Sequence, residues 1–509
     1  MGRRIQWLGV GLMVCFALIV LQLVNIQVRQ APRLNATPKN PRNAAAHFDN
    51  LRGDILAANG QILAESVQAP KTSSTYEYVR YYPQGSLYSQ VVGYTSPYRG
   101  TAGIEYEYNT KLVAHKQPAQ SISQLLNPPA PSADDVTITI EPYLQTLARQ
   151  ELADVVSPDK DGGIVVLDVQ TGAVLAMYSS PSFTPNTLSN PDIAKEKAAS
   201  HADFTVPDHE GFFGGYPIAT DAPEPPGSTF KIVTTTAVYN LKPSLANFTF
   251  PVNRCTTVVG RVQPICNDAR TYTHANACGG TIAQMLPPSC DPGYAQLGLA
   301  LGATTLFKQA ELFGYNSVPP IDIPNVAPSH FPKPSDFAST DLGQAGLAIS
   351  AFGQQDVKAT VLQQAMVAAA VANGGSLMTP HVMASVHAAN GSLVERYQPT
   401  VYKHSMTPSV AAQVNRLMQT VATTPTGTAY GIFPPSLKIA VKTGTAQTTL
   451  PTLLTNTQDW MIGFAPYTHP TIAIAVLVPY QPTTSAGATV AGPIMRTMMT
   501  AALHPPAGQ

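Results

Sequence analysis

A serine and a lysine three residues apart are the first candidates for chemistry in this chain. Ser228 follows Pro225, Pro226 and Gly227, and Lys231 comes one helical turn later. Prolines and a glycine end the preceding loop and permit a tight entry into a helix. Residues three apart on a helix share a face, and serine needs an adjacent base to act as a nucleophile at neutral pH. The spacing therefore predicts that Ser228 is a nucleophile activated by Lys231 at a helix N-terminus, where developing negative charge is favoured.

A second cation lies far along the chain, in the motif Lys442-Thr443-Gly444-Thr445. Apolar and other residues alternate over 437–442, which predicts a strand with Lys442 on the face opposite its apolar side chains. Gly444 permits the close approach of a substrate backbone. The N–H of Thr445, together with that of Ser228, is the predicted oxyanion hole, and the second cation favours a neutral Lys231. The alternative is a surface lysine on an amphipathic edge strand.

The elements that must position these residues predict an α+β domain. Hydrophobic periodicity predicts helices at 141–155, 228–240, 291–302 and 360–373. Alternating or buried runs predict strands at 136–140, 163–168, 173–178, 438–443, 460–465 and 471–478, of which 163–168 and 173–178 form an antiparallel hairpin. Strands at both ends of the domain with helices between them are typical of helices packed on an antiparallel sheet.

The N-terminus carries a predicted membrane anchor. Residues 5–27 are largely apolar, and roughly 20 apolar residues span the hydrocarbon core of a bilayer. Arg3 and Arg4 precede this run, which predicts that the tail is cytoplasmic and the rest of the chain extracytoplasmic. A cleavable signal peptide is the alternative, but the residues after the run make a poor cleavage site. We predict a cytoplasmic tail at residues 1–4, the anchor at 5–27 and a linker at 28–47. A small domain with its own linker follows at 48–134, and the large domain covers 135–509.

Composition narrows the possible partners and the redox compartment. Only 12% of the 509 residues are charged and the formal net charge is +0. Nucleic-acid binding needs a basic face, so we expect no nucleic-acid partner.

Four cysteines, Cys255, Cys266, Cys278 and Cys290, lie in one stretch and can form disulfides outside the cytoplasm. The preferred pair is Cys255 with Cys266, which flank a predicted hairpin; buried thiols are the alternative. Close-set cysteine pairs of the zinc-binding kind are absent from the sequence, so we expect no metal.

Ser-x-x-Lys followed at long range by Lys-Thr-Gly resembles the signature of the penicillin-recognising serine acyltransferases, which include penicillin-binding proteins and class A β-lactamases. Further segments resemble the class B, transpeptidase-only branch of the penicillin-binding proteins, and these are Arg52-Gly53-x-Ile55 with Asn59-Gly60, Gly103-Ile104-Glu105, Gly353-Gln354, 362–366, Ala372-Asn373-Gly374-Gly375 and 460–466. The resemblance runs from about Arg52 to Met495. It implies a transpeptidase domain of the serine β-lactamase and penicillin-binding-protein fold, a small N-terminal pedestal domain and one transmembrane helix.

A third motif of this family, Ser-x-Asn, is matched by Ser289-Cys290-Asp291, with Asp291 standing where the family has Asn. Asn would donate a hydrogen bond to substrate and accept one from lysine, whereas an ionised Asp291 can only accept. Beside Lys231, the carboxylate favours the charged form of the lysine and weakens it as a base. We therefore expect reduced or acid-shifted acylation, and a catalytically weak cell-wall scaffold is the alternative.

The resemblance implies a peptidoglycan D,D-transpeptidase that needs no metal or organic cofactor. Ser228 would attack the penultimate D-Ala of a stem peptide, with Lys231 as base and Ser289 relaying a proton to the leaving amine. The substrate carboxylate, or that of a β-lactam, would be bound by Lys442 and Thr443 with help from Thr445, and Gly444 would lie against the substrate backbone. Implied partners are stem peptides, lipid-linked precursors, β-lactams, the membrane and a polytopic membrane glycosyltransferase. A β-lactam-hydrolysing or β-lactam-sensing relative is the alternative.

Overall fold

The structure is a computed structural model that describes residues 2–25, 48, 50–69, 76–114, 132–155, 161–206, 214–261, 263–267, 277–338, 343–449 and 455–506. The predicted linker of residues 28–47 and most of the proline-rich stretch before residue 132 lie outside these ranges.

The described elements are numerous and mostly short. The α-helices are Gly2–Val24, Ser89–Val92, Gly103–Glu107, Asn109–Leu112, Pro142–Val155, Pro185–Leu188, Ile193–Thr205, Ile218–Asp221, Lys231–Leu241, Ile282–Met285, Asp291–Leu301, Ala303–Leu312, Gly343–Ser350, Val361–Ala372, Pro408–Thr423 and Ala491–Leu503. The strands are β1 (Ile55–Leu56), β2 (Ile62–Gln68), β3 (Tyr78–Tyr81), β4 (Thr95–Ser96), β5 (Gly100–Thr101), β6 (Asp135–Ile138), β7 (Gly162–Asp168), β8 (Val174–Ser180), β9 (Phe250–Asn253), β10 (Cys255–Thr256), β11 (Ile265–Cys266), β12 (Cys278–Gly280), β13 (Ser376–Met378), β14 (Met383–His387), β15 (Leu393–Arg396), β16 (Val401–His404), β17 (Ala440–Thr449), β18 (Thr455–Ala465) and β19 (Ile472–Pro482).

A five-stranded antiparallel sheet forms the centre of the large domain, in the order β17-β18-β19-β7-β8. A Cβ atom on Gly162 would meet Leu152, whereas one on Gly163 would meet Val361. Successive residues of a strand point to opposite faces, so the helices Pro142–Val155 and Val361–Ala372 cover the two faces of the sheet. The predicted α+β architecture is therefore confirmed.

The predicted strands and helices of this domain lie within a few residues of the observed ones, with two informative differences. The first turn of the predicted helix 228–240 is a 3₁₀ turn, Gly227–Phe230, and the α-helix begins only at Lys231. The predicted strand 438–443 begins at Ala440, because Lys438 takes a left-handed conformation with φ of 47° after a short turn.

A second sheet, in the order β15-β14-β6-β1-β2-β3, combines N-terminal strands with strands from residues 383–396 of the large domain. The Asn59-Gly60 segment joins β1 and β2, which pair antiparallel as a hairpin. Strand β6 pairs in parallel with β1 and antiparallel with β14. We call the N-terminal residues 48–134 the pedestal. The predicted boundary between residues 134 and 135 therefore falls at the start of β6, and this strand links the pedestal to the large domain.

Two motif segments of the pedestal meet in a buried ion cluster. Glu105 accepts from Arg52 Nε at 2.9 Å and from Arg80 Nε at 2.5 Å, and all three side chains are almost fully buried. Burial alone would raise the pKa of Glu105, but the charges of Arg80 and Arg52 lower it below its usual value. Glu105 lies in the first of two short helices, Gly103–Glu107 and Asn109–Leu112.

The N-terminal helix Gly2–Val24 exposes many apolar side chains, including Trp7, Leu12, Met13 and Phe16. Among the helices within the described ranges, none combines the length and apolar character that crossing a bilayer requires.

Two disulfides tie the segment between residues 250 and 291. Cys255 is bonded to Cys266 across the β10–β11 pair, which confirms the preferred pairing. Cys278 is bonded to Cys290, so the alternative of buried free thiols is wrong for these four cysteines. Cys290 lies between Ser289 and Asp291, so the second disulfide holds the predicted third motif directly.

Candidate active site

Ser228 lies in the tight turn that precedes the Lys231–Leu241 helix. Gly227 takes a φ of 52°, a conformation that favours glycine, and its N–H donates to Gly353 O at 2.8 Å. In a 3₁₀ turn the side chains of residues i and i+3 eclipse one another. The turn therefore sets Ser228 and Lys231 on one face, with Lys231 fully buried and Ser228 partly accessible.

Strand β17 carries Lys442 alongside this turn. A Cβ atom on Gly444 would lie 2.7 Å from Pro226 O and 2.9 Å from Thr229 Cγ2. The indole N–H of Trp460, the register partner of Gly444 on β18, donates to Pro225 O at 2.8 Å. Gly444 thus lets the strand approach the chain's own Ser228 turn, a different reason for glycine from the substrate contact that we expected.

Lys231, Ser289, Asp291 and Lys442 form one hydrogen-bonded network. Lys231 Nζ donates to Ser289 O at 2.7 Å, to Ser289 Oγ at 3.1 Å and to Asp291 Oδ1 at 2.5 Å. Lys442 Nζ lies 2.9 Å from both Ser289 Oγ and Thr443 O. The Ser289 hydroxyl therefore bridges two lysine nitrogens that are 211 positions apart in the sequence, counted from 231 to 442.

The segment that presents Ser289 and Asp291 is held from several sides. Ser289 takes a left-handed φ of 55°, and Cys290 is fixed by its disulfide to Cys278. The Asp291 N–H donates to Asn267 Oδ1 at 3.0 Å, directly after the Cys255–Cys266 disulfide. These ties give the third motif a fixed position opposite the turn that carries Ser228.

Burial dominates the electrostatics of Lys442. Burial first, and the charge of Lys231 second, hold the pKa of Lys442 well below its usual value, while Asp291 opposes them. Lys231 Nζ also lies 5.1 Å from the ring centre of Tyr294 and 5.8 Å from that of Phe352. A cation within about 6 Å of a ring face is attracted to it, so these rings favour a charged Lys231.

A small groove opens onto this network. Its lining brings together five of the predicted residues, Ser228, Ser289, Asp291, Thr443 and Thr445. Lys231 and Lys442 lie buried behind it. The arrangement places a hydroxyl nucleophile beside two amines, one carboxylate and a relaying hydroxyl, which is the equipment that acyl transfer through a serine needs.

Two further groove residues, Asn267 and Thr428, were missed by the sequence analysis. Thr428 Oγ1 and Thr443 Oγ1 lie 2.6 Å apart. A signal for Thr428 did exist, because Thr-Gly-Thr-Ala occurs at 426–429 as well as at 443–446. Asn267 is brought in by the disulfide-closed hairpin, and its neighbourhood in the sequence carries no comparable signal.

Known families match both parts of the chain. Residues 162–500 match the penicillin binding protein transpeptidase domain. The chain belongs to the penicillin-binding proteins. Residues 52–136 of this penicillin-binding protein match the penicillin binding protein A dimerisation domain.

Curated relatives and solved structures agree with this membership. The peptidoglycan D,D-transpeptidase PbpA of Mycolicibacterium smegmatis is 29% identical over 517 residues, covering 99% of both chains. The corresponding protein of Mycobacterium tuberculosis is 29% identical over 526 residues, again covering 99% of both. Among solved structures, the ceftriaxone acyl-enzyme complex of penicillin-binding protein A from M. tuberculosis gives a TM-score of 0.78 at 27% identity, covering 90% of this chain and 100% of that one. Its penicillin G acyl-enzyme complex gives 0.77 at 27% identity, covering 89% and 100%.

Proposed function

We propose that this penicillin-binding protein is a peptidoglycan D,D-transpeptidase that crosslinks stem peptides through an acyl-enzyme on Ser228. The observation that carries the proposal is the groove in which Ser228 faces the Lys231–Ser289–Lys442 network. The full-length relatives named as D,D-transpeptidases support the same activity.

In the first half-reaction Ser228 Oγ attacks the carbonyl of the penultimate D-Ala of a donor stem, and its proton passes to the Lys231–Ser289–Lys442 network. The backbone N–H groups of Ser228 and Thr445 stabilise the oxyanion. Support for this comes from β17, which is the outer strand of its sheet and lies against the Ser228 turn, since outer strands present backbone N–H groups on their open side. The bond to the terminal D-Ala breaks, and Ser289 delivers a proton to its nitrogen.

In the second half-reaction an amine of a neighbouring stem attacks the acyl-enzyme, which restores the Ser228 hydroxyl and leaves a crosslink. The hydroxyls of Thr443 and Thr445 bind the carboxylate that a stem terminus and a β-lactam share. Both threonines line the groove with Ser228. β-Lactams therefore acylate the same serine, as the acyl-enzyme structures of the M. tuberculosis relative illustrate for that protein.

The proposal places this chemistry at the outer surface of a membrane. The apolar run of residues 5–27 after Arg3 and Arg4 is the anchor, in a single pass that leaves the catalytic domain extracytoplasmic. Two disulfides in the large domain support an oxidising compartment. Lipid-linked precursors, and a polytopic membrane glycosyltransferase that polymerises them, are the expected partners.

The test is release of D-Ala from a synthetic stem pentapeptide ending in D-Ala-D-Ala, with and without an acceptor amine. The purified chain is expected to release D-Ala and, when the acceptor is present, to convert part of the donor into the crosslinked product. Ser228→Ala is the control and should do neither. Rapid hydrolysis of a β-lactam without any crosslinked product would support a β-lactamase instead, and inertness towards both substrates would support a scaffold.

A further inference from the structure

The surroundings of Lys231 are those of a permanent ammonium. Three oxygens, Ser289 O, Ser289 Oγ and Asp291 Oδ1, lie within 3.1 Å of its Nζ. Ser289 O and Asp291 Oδ1 can only accept hydrogen bonds, and the carboxylate of Asp291 favours a charged partner over a neutral amine. Two aromatic rings, Tyr294 and Phe352, add cation–π attraction. The carboxylate and the two rings favour the charged form of this lysine.

The surroundings of Lys442 are different in kind. Its Nζ lies 2.9 Å from a hydroxyl, Ser289 Oγ, and 2.9 Å from a carbonyl, Thr443 O. A neutral amine satisfies both, because it can donate one hydrogen to the carbonyl and accept the Ser289 hydroxyl hydrogen on its lone pair. The side chain is fully buried, and burying a charge without a partner is costly.

The balance of charges around Lys442 also favours a neutral Lys442. The charged groups that act on Lys442 are Lys231, from the helix after Ser228, and Asp291, from the third motif. One carboxylate neutralises one ammonium, and it is Lys231 that makes the 2.5 Å ion pair with Asp291. The low pKa of Lys442 agrees with a neutral amine there.

We propose that Asp291 locks Lys231 as an ammonium and that Lys442, reached through the Ser289 hydroxyl, is the proton acceptor for Ser228. The assignment rests on the proposed acylation of Ser228. Asp291 is then a positioning residue that fixes the charge of Lys231, and the roles that we first expected for the two lysines are exchanged.

The Ser228 proton moves to Lys442 and back along one path. As the Ser228 Oγ–carbonyl carbon bond forms and the carbonyl π electrons move onto oxygen, the Ser228 proton passes to Ser289 Oγ while the Ser289 proton passes to the Lys442 lone pair. When the carbonyl re-forms and the bond to the leaving nitrogen breaks, the proton returns from Lys442 through Ser289 to that nitrogen. Lys231 stays charged throughout.

The test is a double-variant comparison of the rate of acylation by a fluorescent penicillin at neutral pH. Lys442→Arg places a cation that cannot give up its proton at this position, and loss of a general base typically costs on the order of 10²–10⁴-fold. In Lys442→Arg/Asp291→Asn, Lys231 is released from its ion pair and can become the neutral base. The double variant is therefore expected to acylate at least about tenfold faster than Lys442→Arg alone.

If Lys231 is the acceptor and Lys442 only a cation, arginine preserves the charge, and Lys442→Arg acylates at close to the wild-type rate. That result overturns the assignment, and so does a gain from Asp291→Asn that is as large in the wild-type background as in Lys442→Arg. Circular dichroism and thermal unfolding confirm that each variant is folded. Should the arginine not be accommodated, the gain from adding Asp291→Asn is compared between Lys442→Met and the wild-type background, since methionine removes the charge of Lys442 as well as its basic nitrogen. Absence of labelling in the wild type would overturn the proposed function itself, so the two failures are distinguishable.

Discussion

At Gly444, the strand that carries Lys442 and the turn that carries Ser228 come into backbone contact. Gly444→Ala would place a Cβ atom 2.7 Å from Pro226 O. The backbone shifts that such overpacking forces typically cost about 1–3 kcal/mol of folding free energy. To avoid this contact, β17 must move away from the Ser228 turn. Acylation by a fluorescent penicillin is therefore expected to slow at least about tenfold, since about 1.4 kcal/mol of activation free energy corresponds to tenfold in rate.

Gly163→Ala is the matched control on the same sheet. Its Cβ atom would lie 2.9 Å from Val361 Cγ2, a side-chain methyl group. Gly163 is on β7, three strands along the sheet from β17, which contacts the Ser228 turn. We expect this variant to lose thermal stability without a comparable loss of acylation rate. Equal rates for Gly444→Ala and wild type would contradict the packing role given to Gly444.

Glu224, four residues before Ser228, predicts a pH-dependent stability. Burial raises the pKa of Glu224 to about 7, with Lys358 opposing. Because the folded state holds this proton more tightly than the unfolded chain, the stabilisation is complete below the usual carboxyl pKa and is lost as the pH rises through 7. Glu224→Gln, which stays neutral, should unfold at a higher temperature than wild type at pH 8 and at nearly the same temperature at pH 4.5. A constant difference between the two curves from pH 4.5 to 8 would rule out this titration.

At the scale of elements, the pedestal depends on one carboxylate between two guanidinium groups. Glu105→Gln would leave Arg52 and Arg80 buried without their counter-charge, and removing one partner of a buried ion pair costs roughly 3–5 kcal/mol. The expected result is a clear drop in unfolding temperature and faster proteolysis of the pedestal, read by mass spectrometry of the cleavage sites.

Glu395→Gln is the control for the loss of a carboxylate as such. Glu395 pairs with Lys111 at 3.1 Å, but the two side chains are 46% and 36% exposed, and exposed pairs contribute about 0–1 kcal/mol. Its unfolding temperature should therefore stay close to that of wild type. If the two variants lost the same stability, the buried cluster would not be what holds the pedestal together.

Elements with a clear local signal could be predicted from the sequence. Strands β7, β8 and β19 are short apolar runs bounded by turn residues, and the helix Val361–Ala372 has caps at both ends. The 3₁₀ character of Gly227–Phe230 could not be predicted, because it depends on contacts of Gly227 with Gly353 and with the 445–446 backbone, which are distant in sequence.

At the scale of the whole molecule, the motifs predicted which residues meet but not how they pair. Lys442 was expected beside Lys231, and the Ser289 hydroxyl between them follows only from the fold. The same holds for β6, which joins pedestal and large domain by pairing with both β1 and β14. Strand partners so far apart in the chain leave no mark in local hydrophobic patterns, which report burial and periodicity alone.

Mass spectrometry can show whether Ser228 is the residue acylated in this groove. The full chain is treated with penicillin G, denatured and digested, and the peptide that contains Ser228 is sequenced by fragmentation. We predict a mass increase of one intact penicillin on Ser228, stable over the time of several wild-type acylations and absent from Ser228→Ala. A penicillin adduct on another residue, or one that persists in Ser228→Ala, would mean that Ser228 is not the nucleophile.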